Sequence, residues 1–548
     1  MKNKYWITFI LLSVFYLSLT GSELVMRIMT DNEFAMMKRN IGTCREGQNY
    51  NVLIDGHGTG LKPPTEEYWQ NIRNRPVVVE RVISNNDRDR SSVDNSTDNW
   101  FPPIGNQDGE GSCVAWACGY YTKTYQEALE HSWDLSGCSW VGGYYGNPQA
   151  ANQDMIFSPD FIYHQVNGGT DTGSWYDDSI TLLSEIGCCS WEKMPYDPHD
   201  STTWPDEDAW RQAPLYRSAN SINYLYTLSD PALDDLKQIL DDQNLTIISL
   251  NASYYSALTA DDLWTIDNYT SYPWETNHAN TIVGYDDNYG PYTEDGNPNT
   301  YGAFKVANSW GINSWENVAD GFYYISYECM KQKILYTMFY DNSAGYEPEI
   351  VSVFQIDHTK RGECQITLGI GDTASPLFSK RFDDYTLNGG DQPFPANDII
   401  LDISEFNSYI TGPPDNFFIE IYDGNSTTTG TLNSFSIEFY DDYSAGSPLQ
   451  TYTSNDTPVN TTNSADVYAE ILTSALSAPE NITVQVVGNT LYLGWDPVSG
   501  AAAYSVYSSD DPYLDILLWT TEISGLVSTN WSETISADKK YYCVTASD

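Results

Sequence analysis

The sequence predicts a multidomain protein in which an α+β domain is followed by all-β sandwich domains. Its 548 residues are too many for a single hydrophobic core. Helical and strand-like patterns are mixed over residues 93–343. From residue 347 onward, short alternating runs are separated by Gly, Asp, Asn and Pro, which is typical of β-sandwiches.

The composition indicates a folded, acidic protein. Apolar residues make up 41% of the chain and aromatic residues 14%, more than a disordered chain carries. Acidic side chains number 75 against 26 basic ones, giving a formal net charge of −49. This charge argues against nucleic-acid partners and anionic membranes, because like charges repel. We interpret it as a solvated acidic surface, suited to solubility outside a cell or in a salty medium, with binding of divalent cations as the alternative.

Residues 1–22 have the pattern of a signal peptide. Lys2 and Lys4 precede an apolar run from Tyr5 to about Leu19, and small residues follow. The run is too short for a comfortable membrane span. We therefore expect a secreted protein, extracellular or at the cell surface, with no other membrane association. A retained N-terminal anchor is the alternative.

Residues 23–92 are polar and punctuated by Gly and Pro. An example is the stretch Asp55-Gly-His-Gly-Thr-Gly-Leu-Lys-Pro-Pro64, and the segment ends in a charged run at 85–90. We interpret it as a leader or pro-region with an exposed, cleavable end.

The domain over 93–343 combines predicted helices with later antiparallel strands. Helices are expected from Cys113 to Glu130 and over 234–240. Strands are expected at the apolar and alternating runs 245–250, 281–285, 303–306 and 321–326.

Two all-β domains are expected at 347–476 and 478–548. Runs at 417–422 and 433–440 are strand-like. The last domain resembles a fibronectin type III module in its Trp495-Asp-Pro-Val and Tyr504-Ser-Val-Tyr segments, with Tyr542 as a candidate tyrosine corner. On fold analogy alone, these modules are expected to bind a polymer, a cell surface or the preceding domain.

The cysteines predict a free thiol and no zinc site. There are nine, and an odd number in an exported protein leaves at least one unpaired. Their spacing lacks the repeated pairs of a zinc site. Asp-rich turns, Asp383-Asp384 and Asp441-Asp442, are candidate calcium ligands in the β region, although no EF-hand-type loop is present.

Cys113 is the best nucleophile candidate of the nine. The glycine-rich stretch from Pro102 to Ser112 leads directly into the predicted helix that Cys113 begins. Unpaired N–H groups and the positive dipole end of a helix favour thiolate over thiol.

A thiolate enzyme also needs a histidine and a group that orients it. Of six histidines, His278 alone begins an apolar strand, in Asn277-His-Ala-Asn-Thr-Ile-Val-Gly284. The segment Asn308-Ser-Trp310-Gly follows a later strand. An asparagine there can accept a hydrogen bond from the imidazole, and the tryptophan can shield that bond from water.

These three segments, in this order, resemble the papain family of cysteine peptidases over roughly 250 residues. The resemblance implies a two-lobed α+β peptidase domain with a helical and an antiparallel β lobe. It makes Cys113 the nucleophile, His278 the acid and base, Asn308 the orienting residue and Trp310 its cover. Gln107 would complete the oxyanion hole with the Cys113 N–H.

Several features depart from the family pattern. Glu110 stands where the family has a cysteine, and Val114 where it has a tryptophan, with Trp116 two positions on. The 165 residues between Cys113 and His278 exceed the usual ~130–150. The substrate-binding glycine segment is either Asn167-Gly168-Gly169 or Gly173-Ser174-Trp175, and the sequence does not decide between them.

The expected function is a secreted cysteine endopeptidase that acts on protein or peptide substrates without a metal or organic cofactor. Two alternatives stay open. One is a surface adhesin or binding protein whose papain-like domain is an inactive scaffold. The other is an acyl transferase that passes the same thioester to an amine.

Overall fold

The structure is a computed structural model whose described part leaves out some segments of the chain. It describes residues 23–45, 47–82, 90–270, 276–316, 318–382, 387, 389–410, 415–424, 428–473, 479, 481–498, 501, 503–512, 519–535 and 540–547. The predicted signal peptide, nearly all of the charged run at 85–90, and Asp383-Asp384 lie outside these residues. Within them, no helix is both long enough and apolar enough to cross a bilayer.

The chain is multidomain and divides into two compact units. The first lies within Met1–Tyr346, Thr359–Glu363 and Phe382–Asn397, and the second within Glu347–His358, Cys364–Arg381 and Asp398–Asp548. Two short segments beyond residue 346 thus belong to the first unit.

All α-helices of the described chain lie in the first unit. The α-helices are α1 Asp31–Ile41, α2 Glu66–Arg73, α3 Cys113–Ala115, α4 Thr124–His131, α5 Pro159–Val166, α6 Tyr176–Glu185, α7 Glu207–Gln212, α8 Asp230–Asp241 and α9 Tyr327–Cys329. A π-helical stretch, Trp116–Lys123, joins α3 to α4, and another, Met330–Ile334, follows α9. The predicted helices at 113–130 and 234–240 are confirmed.

The strands of the first unit form one large, mostly antiparallel sheet and two separate two-stranded sheets. They are β1 Glu23–Ile28, β2 Pro76–Val82, β3 Ser92–Asp94, β4 Trp140–Val141, β5 Asn147–Pro148, β6 Ser218–Tyr226, β7 Thr246–Leu250, β8 Leu263–Trp264, β9 His278–Asp286, β10 Tyr292–Glu294, β11 Asn297–Thr300, β12 Ala303–Ala307, β13 Phe322–Ser326 and β14 Tyr336–Asn342. The large sheet runs β1-β2-β6-β14-β7-β9-β12-β13-β8, with β3 paired to β9. The four predicted strands are confirmed as β7, β9, β12 and β13.

The leader is more structured than its polar composition predicts. Its strands β1 and β2 pair with each other, and β2 pairs with β6 of the large sheet. A capping box between Thr30 and Glu33 begins α1, and Thr65 caps α2. The leader is therefore folded onto the first unit rather than appended to it.

Strand β9 lies between two hydrophobic clusters. Ile282 packs with the cluster that contains Trp264 and Tyr323, whereas its neighbour Val283 packs with the cluster around Trp116. Successive side chains of a strand point to opposite faces. Burial on both faces fixes β9 and therefore His278 at its start.

The second unit is all-β, and its described strands form four sheets. Its strands are β15 Ile350–Asp357, β16 Cys364–Asp372, β17 Ser375–Arg381, β18 Ile399–Asp402, β19 Asn416–Asp423, β20 Thr431–Phe439, β21 Gln450–Thr453, β22 Val459–Asn460, β23 Ala465–Leu472, β24 Thr483–Val487, β25 Thr490–Gly494, β26 Ala503–Ser509, β27 Thr520–Leu526, β28 Asn530–Thr534 and β29 Tyr541–Ser547. One pair of sheets is β18-β15-β20-β21, with β22 beside β20, and β17-β16-β19-β23. The other pair is β24-β25-β28 and β27-β26-β29. The predicted strands at 417–422 and 433–440 are confirmed as β19 and β20.

The last pair of sheets has a different tyrosine contact from the one expected. The hydroxyl of Tyr542 donates to Glu533, so it does not bond to backbone as a tyrosine corner would. Instead the hydroxyl of Tyr504 accepts from the Val498 N–H at 2.9 Å, inside the core of Trp495 and its neighbours.

Two other expectations concern cysteines and calcium. All nine cysteines lie among the described residues, and all are free thiols in this structure. The Asp442 carboxylate accepts from the Ser444 hydroxyl and the Ala445 N–H, the geometry of a short helix cap.

Candidate active site

Cys113 is the first residue of α3 and is completely buried. Burial raises the pKa of its thiol to about 12. The N–H groups of Ala279, of Val114 and of Cys113 itself face the sulfur and oppose this rise. The N–H groups at the start of α3 therefore lower the thiol pKa, as the sequence predicts, but burial raises it by more. In this state Cys113 is a neutral thiol.

His278 is oriented by Asn308. Its Nε2 lies 2.9 Å from the Asn308 Oδ1, and Asn308 directly follows β12, the neighbour of β9. The same oxygen accepts from the Ser309 N–H at 2.8 Å and from the Asn280 Nδ2 at 2.9 Å. An oxygen that accepts from these groups makes Nε2 the protonated nitrogen of a neutral His278.

Asn280 is a positioning residue that the sequence analysis missed. Its Oδ1 accepts from the hydroxyls of Tyr255 and Tyr323 at 2.5 and 2.9 Å, which turns its amide toward Asn308. The available signal was its place two residues after His278, because residues i and i+2 of a strand share a face.

The other ring nitrogen of His278, Nδ1, has no hydrogen-bond partner among the described residues, so no hydrogen bond joins it to the Cys113 thiol in this structure. The next residue, Ala279, directs its N–H at the Cys113 sulfur, which places the strand start against the thiol. Burial lowers the pKa of His278 to about 3, so the imidazole is neutral. The ring therefore offers an unprotonated nitrogen without a partner, and the strand that carries it meets the thiol at Ala279.

The side-chain amide of Gln107 donates to backbone carbonyls of the leader and of the loop before Cys113. Its Nε2 donates to the carbonyls of Glu110 at 2.8 Å and of Gly58 at 3.1 Å. Its Oε1 accepts from the Ser309 hydroxyl at 2.6 Å, which fixes the orientation of the amide. Ser309 is a second positioning residue, and it lies in the same Asn-Ser-Trp-Gly segment as Asn308.

Trp310 covers the histidine. Its ring centroid lies 4.7 Å from that of His278, and on the other side His57 stacks on it at 4.9 Å. Its indole Nε1 donates to the Gly58 carbonyl at 3.0 Å. The side chain therefore shields His278 and also binds backbone.

The space in front of these groups is filled by leader residues 56–62, which we call the cleft segment. Leu61 forms a parallel bridge with Ser174, and its N–H donates to the Asn277 carbonyl at 3.1 Å. The Leu61 N–H also faces the Cys113 sulfur. A peptide is thus bound at the nucleophile, but with an N–H rather than a carbonyl carbon facing the sulfur.

Glycines explain how the cleft segment approaches so closely. A Cβ at Gly58 would lie 2.1 Å from the Glu110 carbonyl oxygen. A Cβ at Gly60 would lie 2.0 Å from that of Gly111, and Gly60 has a φ of +111°. The Gly-x-Gly-x-Gly pattern of the leader therefore fits backbone against backbone.

The two glycine segments of the sequence analysis lie in different places. Gly173 and Ser174 line the cleft: Ser174 accepts from Lys62 and donates to Gly60. Gly168 and Gly169 instead pack against backbone at 389–390.

Two residues that depart from the family pattern, Trp116 and Glu110, are both buried. Trp116 is fully buried against Tyr120 and Tyr196, so it belongs to the hydrophobic core. Glu110 is fully buried beside Asp160 and His164.

Comparisons with known proteins give similarities at low identity. No family model matches the chain, and no curated protein matches it. Among solved structures, xylellain, a cysteine protease from Xylella fastidiosa, is 20% identical, with 46% of this chain and 86% of xylellain covered and a TM-score of 0.32. The cysteine protease and lectin-like domains of Cwp84, a surface layer associated protein of Clostridium difficile, are 15% identical, with 73% and 92% covered and a TM-score of 0.35.

An Fn3-like protein from Clostridium thermocellum is 30% identical, with 13% of this chain and 77% of that protein covered and a TM-score of 0.12. Similarities at TM-scores this low carry no argument about activity.

Proposed function

We propose that the chain is a secreted cysteine peptidase made as a precursor whose own leader fills the catalytic cleft. One observation carries this proposal. The carbonyl of Gly58 accepts from both the Gln107 amide and the Trp310 indole, and three residues later the Leu61 N–H faces the sulfur of the buried Cys113. Donors that hold the backbone of a peptide that also reaches the nucleophile are what acyl transfer from a peptide requires.

In the proposed reaction, His278 Nδ1 takes the proton of Cys113 and the thiolate attacks a peptide carbonyl carbon. The tetrahedral oxyanion accepts hydrogen bonds from the Gln107 amide and the Cys113 N–H. As the C–N bond breaks, His278 gives its proton to the leaving amine and a thioester remains. Water, deprotonated by His278, then releases the acid product. Asn308 keeps the ring in place throughout.

The cleft segment also explains why the precursor is inactive in this proposal. Burial holds Cys113 and His278 in their neutral forms, with pKa values of about 12 and about 3. When the segment leaves, water reaches both groups and removes the penalty on their charged forms. Departure of the leader is therefore proposed to open the site and to allow the thiolate–imidazolium pair to form.

Secretion and the accessory role of the second unit complete the proposal. The signal-peptide pattern at residues 1–22 supports export. The second unit is proposed to bind a polymer or cell surface, on the fold analogy of its paired sheets. Protein or peptide substrates follow from the extended backbone that the cleft already holds.

The test is hydrolysis of quenched fluorescent peptides by the folded chain before and after limited proteolysis of the leader. Hydrolysis is expected only after leader removal, and Cys113→Ala abolishes it. A cleaved chain that binds peptides without cutting them would indicate the adhesin alternative. Transfer of the acyl group to an added amine in preference to water, detected by mass spectrometry, would indicate the transferase.

A further inference from the structure

Three buried side chains of the first unit converge beside the loop that carries the nucleophile. They are Glu110, which lies three residues before Cys113, and Asp160 and His164 of α5. The three residues are 1–2% exposed. One ligand atom from each lies within 4.8 Å of the other two. Asp160 and His164 are four residues apart, so they project from the same face of α5.

Four polar atoms of this cluster lack a hydrogen-bond partner in the described part of the protein. Both carboxylate oxygens of Glu110, the Oδ1 of Asp160 and the Nε2 of His164 have no hydrogen-bond partner among the described residues. A buried charged oxygen without a partner keeps the full cost of its lost hydration. Such a cluster requires a cation or a proton to be stable.

The tautomer of His164 is fixed in the form that binds a cation. Its Nδ1 lies 2.6 Å from the Thr203 carbonyl oxygen. A carbonyl only accepts, so Nδ1 carries the proton, and a neutral ring presents a lone pair at Nε2. A histidine ligand whose other nitrogen donates to a carbonyl is the usual arrangement at protein metal sites.

The distances fit ligands around a metal better than they fit hydrogen bonds. The His164 Nε2 lies 3.5 Å from the Asp160 Oδ1 and 3.8 Å from the Glu110 Oε1. A direct hydrogen bond would be about 2.7–3.2 Å. Two ligands at ~2.0–2.2 Å from a tetrahedral zinc ion are about 3.3–3.6 Å apart, which matches the His164–Asp160 distance, whereas the His164–Glu110 distance is slightly longer.

We propose that Glu110, Asp160 and His164 bind one divalent transition-metal ion, of which Zn²⁺ is the best match. One imidazole and two carboxylates are ligands that Zn²⁺ accepts, and the two negative charges balance the ion in a buried site. The ion joins the loop between Gln107 and Cys113 to α5. Because the Glu110 carbonyl accepts from the Gln107 amide, the ion also fixes the loop that presents the proposed oxyanion donor.

The experiment measures metal in the full chain, purified without a metal-affinity step and dialysed at high ionic strength to strip weakly bound ions from the acidic surface. Mass spectrometry of the elements is expected to find one metal ion per chain. After removal by a chelator in mild denaturant and refolding, added Zn²⁺ is expected to raise the Tm. Co²⁺ is expected to give the visible absorption of a tetrahedral site.

Matched variants locate the ion. His164→Gln is expected to lose the metal, the Co²⁺ absorption and the Zn²⁺-dependent rise in Tm. The same substitution at the exposed His199 keeps all three. Cys113→Ala also keeps them, which excludes an ion held by Cys113 and His278 and separates this test from that of the peptidase.

Three results would overturn the proposal: a wild-type chain with no bound metal and no response of its Tm to Zn²⁺, metal retained by His164→Gln, or metal lost from Cys113→Ala. The first result is measured on the wild-type protein alone, so it tests the metal site even if His164→Gln does not fold. A metal-free triad would mean that a proton on His164 bridges the two carboxylates.

Discussion

The glycines of the cleft segment allow a graded test of how firmly the leader closes the site. Alanine at Gly58 would bring its Cβ to 2.1 Å from the Glu110 carbonyl oxygen, and alanine at Gly60 would bring its Cβ to 2.0 Å from that of Gly111. Both contacts are with backbone, so neither can be relieved by a side-chain rotation. Either substitution must displace the segment.

The expected increase in the population of the open form follows from the hydrogen bonds that the displacement breaks. The Gly58 carbonyl loses its hydrogen bonds from Gln107 and Trp310. At about 1 kcal/mol each, their loss favours the open form by ~2 kcal/mol, or roughly 30-fold. Gly60 also has a φ of +111°, which costs an alanine about 1 kcal/mol or more. Gly60→Ala is therefore expected to increase the population of the open form by roughly 100-fold or more.

The assay is the rate at which iodoacetamide alkylates Cys113 in the full-length chain, followed by mass spectrometry. Because Cys113 is fully buried when the cleft is closed, the rate reports the open population. Gly56→Ala is the matched control: Gly56 has a φ of +89°, but a Cβ there meets nothing within 4 Å. Its rate is expected to stay within about fivefold of wild type. Equal rates for Gly58→Ala, Gly56→Ala and wild type would refute the account of closure.

Further predictions concern pH, positioning and stability. Burial holds the pKa of His278 at about 3, below its ordinary value, so the open form binds more protons and opening is favoured as pH falls below about 6.5. Hydrogen exchange at the Leu61 amide is expected to lose protection between about pH 6 and pH 4, and constant protection would contradict this. Asn280→Ala removes a donor to the Asn308 oxygen and is expected to lower kcat of the leader-free enzyme about tenfold with little change in KM; a change in KM alone would count against a positioning role. Tyr504→Phe leaves a buried N–H without its acceptor and is expected to destabilise the last pair of sheets by ~1–3 kcal/mol, measured by hydrogen exchange; no change would show that water replaces the hydroxyl.

Local patterns predicted the parts of the site that local chemistry determines. The apolar run after His278 is strand β9, and the run before Asn308 is strand β12. Their pairing follows from burial on both faces of β9, and it brings the His278 ring to the Asn308 oxygen. The helix that Cys113 begins was also predicted, because its sequence has few helix breakers.

Contacts between distant segments could not be predicted in the same way. The Gly-x-Gly-x-Gly pattern indicated a loop, but its fit against residues 110–111 depends on a strand pairing of the leader with β6. The thiolate expected at Cys113 is overruled by burial under that segment. Likewise, Glu110 could be noted only as a departure from the family pattern, since Asp160 and His164 approach it only in the fold.

The central claim is that Cys113 is a nucleophile activated by His278. It is tested most directly by treating the leader-cleaved protein with an epoxide cysteine-peptidase inhibitor and mapping the adduct by mass spectrometry. The account predicts stoichiometric labelling at Cys113, which is lost in His278→Ala although the variant stays folded by circular dichroism. Labelling that is equal in His278→Ala, or that falls on other thiols and spares Cys113, would contradict it.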